Sequence, residues 1–192
     1  MKKIAKKLRL AALFMICFGM LISCGTKEPT ANERVPESAL EILNTVWDNY
    51  GEEERFSVAG GDYTEENMVE GAPGKFGILD TNNLDYTFGI PENSAYLLDD
   101  CASLMHMMNS NSFTAGAFHI KQTEEVSSFM ESLKDNIMAR QWICGFPDKL
   151  IIVQIGDYVV SAFGNSEMID TFKSKLTNAY DQAVVVYQED IL

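Results

Sequence analysis

The stretch Leu150-Ile151-Ile152-Val153-Gln154-Ile155-Gly156-Asp157-Tyr158-Val159-Val160-Ser161-Ala162-Phe163 decides the fold. Two runs rich in β-branched and aromatic residues flank Gly156-Asp157, and glycine at the first turn position tolerates the positive φ of a type II′ turn. The pattern predicts an antiparallel hairpin over residues 150–155 and 158–163. Downstream, Ile169, Phe172, Leu176 and Tyr180 recur at helical spacing and predict a helix over about residues 167–183. Val184-Val185-Val186-Tyr187 then either extends that helix or forms an edge strand. Upstream, Val126, Phe129, Met130, Leu133 and Ile137 make one apolar stripe and predict a helix over residues 124–140, with Thr123 as its N-cap. Before it, residues 113–120 read as a strand that Gly116 weakens. The order is strand, helix, strand, strand, helix. Helices of this kind bury their stripes on one face of a small, mainly antiparallel sheet, an α+β two-layer arrangement.

Further toward the N-terminus the pattern loosens. Ala39, Leu40, Leu43, Val46, Trp47 and Tyr50 predict a helix over residues 37–50, started by Pro36-Glu37-Ser38 and stopped by Gly51. Residues 52–85 are acidic and glycine-rich, with Gly60-Gly61, Gly71 and Pro73-Gly74. They read as loops with extended pieces near residues 56–58 and 76–79. After Pro91 a helix is expected over residues 92–108, because Leu97, Leu98, Cys101, Leu104, Met105 and Met108 fall on one helical face. Asn109-Ser110-Asn111-Ser112 supplies turn-formers to end it. Residues 37–192 fit a single domain with one core.

The first 23 residues are of a different kind. Lys2, Lys3, Lys6, Lys7 and Arg9 precede an uncharged apolar run over residues 10–22, which contains Cys17. That is the layout of an export signal, and the run is short for a membrane span. Its ending, Leu21-Ile22-Ser23-Cys24, resembles the lipobox of bacterial lipoproteins. The resemblance implies cleavage between Ser23 and Cys24, diacylglycerol on the Cys24 thioether, and N-acylation in many hosts. Several acyl chains hold a protein stably at a bilayer where one holds it marginally. Residues 24–36, polar and proline-containing, then read as a lipidated tether.

Charge narrows the function classes. The chain has 15 Lys and Arg against 28 Asp and Glu, and with the leader's five basic residues removed 10 face 28, a formal charge of −18. Nucleic-acid binding rests on phosphate neutralisation and is excluded on that balance. Attraction to an anionic membrane surface is excluded too, so membrane lipid is engaged through Cys24 acylation.

Three constellations of side chains invite a chemical reading. Cys101, Met105 and Met108 stand at i, i+4 and i+7 of the expected helix, where thiolate and thioether ligands suit a soft metal; the plain alternative is a buried apolar face. Cys101 and Cys144 remain after Cys24 is acylated, enough for one disulfide, or else two packed free thiols. A Cys/His hydrolase would have to draw on these thiols with His106 and His119, and no local signature joins them. Asp80-Thr81-Asn82-Asn83-Leu84-Asp85 faintly resembles a calcium loop, but Leu84 stands where an oxygen ligand belongs and turn chemistry explains the rest. Gly145-Phe146-Pro147-Asp148 reads as a turn, with Trp142 and Phe146 either set near a groove or, the plainer alternative, packed in the core. No catalytic motif is present and no cofactor is expected.

Residues 102–109, 113–118 and 142–150 together resemble small clostridial-type lipoproteins that carry a domain of unknown function. The resemblance implies a domain on the outer face of the cell membrane in a Gram-positive host, and brings neither an activity nor site residues. The expected role is a non-catalytic binding or interaction module, accessory to an envelope or transport complex. A metal-binding lipoprotein and a cryptic thiol enzyme are the alternatives.

Overall fold

The computed structural model describes residues 35–62, 64, 66–143 and 145–191. The export signal, Ser23, Cys24, nearly all of the tether, and Cys144 lie outside the described residues. Among the described residues no helix is long and apolar enough to cross a membrane.

The hairpin forms as its sequence dictates. Strands β6 (Lys149–Ile155) and β7 (Tyr158–Gly164) pair antiparallel with Ile155 opposite Tyr158, and Gly156 turns the chain at φ 59°. Both strands join a sheet that also contains β1 (Val58–Gly60), β2 (Val69–Glu70), β3 (Gly74–Lys75), β4 (Leu98–His106), β5 (Phe113–Ile120) and β8 (Val184–Asp190). The order is β2-β1-β4-β5-β7-β6-β8, with β3 also on β4, and every pairing is antiparallel. Val184 onward is therefore an edge strand, paired with β6.

The α+β class and the antiparallel sheet stand as expected, but the helices cover both faces. Ile151, Val153, Ile155, Val160 and Ala162 pack with α1 (Ala39–Asp48) and α5 (Ser166–Ala179). Leu150, Ile152, Val159 and Phe163 pack with α2 (Thr81–Phe88), α3 (Glu92–Ala95) and α4 (Val126–Ala139). The reason lies in the strands themselves. An unbroken run such as Leu150-Ile151-Ile152-Val153 has apolar side chains pointing both ways, and each way needs a cover.

The helix expected over residues 92–108 is the largest correction. Only Glu92–Ala95 is helical, and β4 follows, central to the sheet. Its residues alternate in direction, with Ala102 and Leu104 facing α1 and Cys101 facing α4. A strand buried on both faces shows no polar alternation, so its apolar positions also satisfied a helical template. Small residues suit this centre. Ser103, Gly116 and Ser161 lie side by side across β4, β5 and β7, and a Cβ on Gly116 would come within 2.4 Å of Phe118 and 2.8 Å of Phe88. Gly116 is thus the floor on which two rings rest, not a weak point.

The structure corrects Thr123 as the N-cap and shows a cap at Asp80. Thr123 opens a short 3-10 turn (Thr123–Glu125), and α4 begins after it with no side-chain cap. Asp80 instead caps α2, accepting from the N–H groups of Asn82 (3.1 Å) and Asn83 (3.2 Å). That accounts for the Asp-Asn run without calcium. At α1 the start signal is as expected: the Ser38 hydroxyl accepts from the Glu41 N–H, and the Ala39 N–H donates to Asp100 Oδ2 at 2.8 Å.

Candidate functional site

A groove of about 830 Å³ opens where β4 ends and β5 begins. Three segments build it. The last turns of α2 bring Asp85, Tyr86 and Thr87; the β4–β5 connection brings Met107 to Asn111; and the end of α4 brings Asn136, Arg140, Gln141, Trp142 and Ile143. Met105, His106 and Phe163 also line it.

Polar side chains lock these segments together. Asn136 Nδ2 donates to Asp85 Oδ1 (2.7 Å) and to the Gly89 carbonyl (3.0 Å), tying α4 to the end of α2. Asn111 Nδ2 donates to the carbonyls of Ile143 and Gly145, both at 3.1 Å, which ties the β4–β5 turn to the chain leaving α4. His106 Nδ1 accepts from the N–H groups of Met108 (3.2 Å) and Asn109 (3.3 Å), and its ring stacks on Phe56 at 5.7 Å. Those two donors assign the proton of the neutral imidazole to Nε2. His106 is thereby a brace for the turn.

Among the described residues Arg140 is the only Lys or Arg in the lining. Its Nη2 donates to the Asp85 carbonyl, and the guanidinium lies 5.1 Å over the Trp142 ring. Trp142 in turn packs on Phe163 at 5.1 Å, and its indole N–H is buried with no acceptor among the described residues. Burial holds the Arg140 guanidinium below its ordinary value, with Asp85 and then Tyr86 acting the other way. Arg140, like Arg55, Lys75 and Lys121, has no ion pair among the described residues, whereas Lys134, Lys149, Lys173 and Lys175 each have a carboxylate partner. Around this cation the rim is apolar and exposed: Tyr86 is 84% exposed, Met108 81% and Ile143 78%. An open, apolar-rimmed concavity with a few convergent polar groups is the ordinary form of a binding site.

No family model, curated protein or solved structure matches the chain.

The soft-metal set is not assembled. Cys101 and Met105 are both buried on β4, about 13 Å apart at strand rise, and Met108 lies exposed on the following turn. Strand spacing replaces the helical spacing that would have gathered them. Cys101 is a free thiol in the core, and Cys144, its expected disulfide partner, lies outside the described residues. Burial, helped by Asp100, pushes its thiol well up, away from the thiolate a nucleophile needs. The imidazoles do not serve it either. His106 and His119 follow the alternation of Leu104 and Ala117 toward α1, on the sheet face opposite Cys101, and His119 Nδ1 pairs with Asp99 at 2.5 Å. Among the described residues no three His, Cys, Asp or Glu side chains gather as a metal site.

Trp142 lies at a groove, one of the two placements its turn context allows, while the exposed Phe146 is not part of the lining. Sequence reading missed Arg140, Tyr86 and the bracing asparagines. Arg140 read as a helix end and Asn109 to Asn111 as turn-formers. The one available signal was an arginine two residues before a tryptophan at a helix terminus, in an otherwise acidic chain.

Proposed function

We propose that this protein is a lipid-anchored extracytoplasmic module, held at the outer face of the cell membrane through Cys24, that binds non-catalytically through the Arg140–Trp142 groove. One observation carries the binding role: a preformed concavity, braced by Asn111, Asn136 and His106, exposes Tyr86, Met108 and Ile143 around an Arg140 that lacks an ion pair. Exposed apolar side chains gathered in one concave place mark contact surfaces more often than chance scatter does. The anchoring half rests on the leader and the lipobox resemblance.

Photocrosslinking in living cells tests the binding half. A photoreactive residue at Ile143, on the rim, should give a discrete crosslinked species, and one at Leu79, exposed outside the groove, should not. Equal yields from both positions, or none from either, would end the groove reading. Intact mass of the protein extracted from membranes tests the anchor, with loss of residues 1–23 and added acyl mass expected. A retained leader or an unmodified Cys24 would end it.

A further inference from the structure

We infer that the groove receives a ligand carrying a single carboxylate on an apolar body, with the carboxylate seated on Arg140. This rests on the groove being the binding site. A guanidinium has five N–H donors in a planar fork that matches a carboxylate. Arg140 uses Nη2 on the Asp85 carbonyl, and stacking on Trp142 fixes the plane of the remainder. A half-buried charge without a counter-ion is costly, and an incoming anion removes that cost. Asp85 offsets that charge only in part: it acts on Arg140 through space but forms no ion pair with it, its carboxylate accepts from Asn136, and burial remains the larger effect. Arg55, Lys75 and Lys121 also have no ion pair among the described residues, and what sets Arg140 apart is its place in the groove lining.

The rest of the lining selects the ligand's charge and body. Among the described residues the lining has no second Lys or Arg, and Asp85 also belongs to it. A dianion such as a phosphate monoester would leave one charge uncompensated, whereas a monocarboxylate is matched. Beyond Arg140 the apolar part of the wall is Met107, Met108 and Ile143 with the Tyr86 and Trp142 rings, an adaptable surface for an aliphatic or aromatic body, and polar Asn109, Ser110 and Gln141 complete it. A free organic acid and the C-terminus of a peptide share this chemistry.

Titration calorimetry on the full lipoprotein in mild detergent tests the inference with matched probes. The pairs are 3-phenylpropionate against 3-phenylpropionamide, and acetyl-methionyl-phenylalanine with a free against an amidated C-terminus. In the unaltered protein at least one acid should bind about tenfold tighter than its amide, the discrimination expected of one charge-assisted contact. Tighter binding of the dipeptide acid indicates a peptide C-terminus, and tighter binding of phenylpropionate a free acid. Arg140→Gln should bring acid and amide together, and Arg140→Lys should keep part of the preference. Should Arg140→Gln not fold, the acid-to-amide ratio in the unaltered chain still decides. Equal binding of acid and amide, tighter binding of phenyl phosphate, no binding of either acid, or a preference surviving in folded Arg140→Gln would each overturn the inference. Crosslinking from Ile143 needs no carboxylate, so its success beside a failed acid preference would leave the groove reading standing.

Discussion

At the scale of single residues, Ser103 and Gly116 do the most with the least bulk. The Ser103 hydroxyl accepts from the Gly61 N–H at 2.7 Å and donates to the Gly61 carbonyl at 2.9 Å, wholly buried. It thereby closes a peptide that the sheet ladder leaves open, where the glycines crowd so tightly that a Cβ on Gly60 would stand 2.1 Å from the Gly74 nitrogen. Ser103→Ala strands both groups, and a loss of about 1–3 kcal/mol is expected in urea unfolding. Ser103→Ala should leave crosslinking at Ile143 unchanged. Gly116→Val presses on Phe88 and Phe118, which are fully buried and cannot swing away. Overpacking of this kind costs about 1–3 kcal/mol, readable in the same unfolding experiment. A Gly116→Val protein as stable as the parent would contradict the packing described.

Between elements, ion pairs fasten helix to sheet on the solvent side. Asp170 on α5 receives Lys149 of β6 at 2.6 Å and Lys173 at 3.2 Å. Chiefly the Lys149 hydrogen bond holds its carboxyl below the ordinary carboxylate value, with Lys173 adding to the effect. A carboxyl whose folded value is depressed stabilises the fold above its unfolded value of about 3.9 and loses that contribution as pH falls through the folded one. Asp170→Asn should therefore lower stability at neutral pH and flatten the acid side of a stability-versus-pH curve. Parallel curves for the two proteins would dismiss this link. Edge strand β8 calls for a different test. Val186 sits at a register shift opposite Ile152 and Val153 and is 37% exposed. An apolar edge invites pairing with other chains, and a lysine there discourages it. Val186→Lys should raise the concentration at which light scattering detects aggregates, with stability changed by less than about 0.5 kcal/mol.

The same elements separate what was legible from what was not. α1, α4 and α5 were legible because each shows one helical period and buries one face, and the hairpin because Gly156-Asp157 punctuates two β-rich runs although both of its faces are covered. β4 was not, because Ala102, Leu104 and Cys101 are all buried though they point both ways, and the periodic signal vanishes when both faces are dry. α2 escaped because its mean character is polar and its chief signal is one capping aspartate, which also serves turns. Misreading β4 as a helix displaced every candidate on it. Cys101 and Met105 seemed to share a face with Met108, and the groove at the strand's end stayed hidden. Groove residues come from three segments distant in sequence, and only the antiparallel order of the sheet brings them together.

At the scale of the whole molecule, two cores share one sheet, each under its own helices. The groove belongs to the α2–α4 side and draws its stiffness from that core, since Phe163 backs Trp142 and Asn136 ties α4 to the end of α2. A preformed site of this kind binds without first ordering itself. Exchange of the Asn111 and Asn136 side-chain amides and of nearby backbone N–H groups should accordingly change little when an acid probe binds. Widespread new protection would mean that the site forms only on binding.

The Ala39 N–H bonded to Asp100 fixes where the chain arrives at the body. Asp100 lies at one end of β4 and the turn after His106 at the other, roughly 20 Å further along at strand rise. The start of α1 and the mouth of the groove thus occupy opposite ends of one rigid strand. A partner seated on the start of α1 would therefore leave the mouth uncovered.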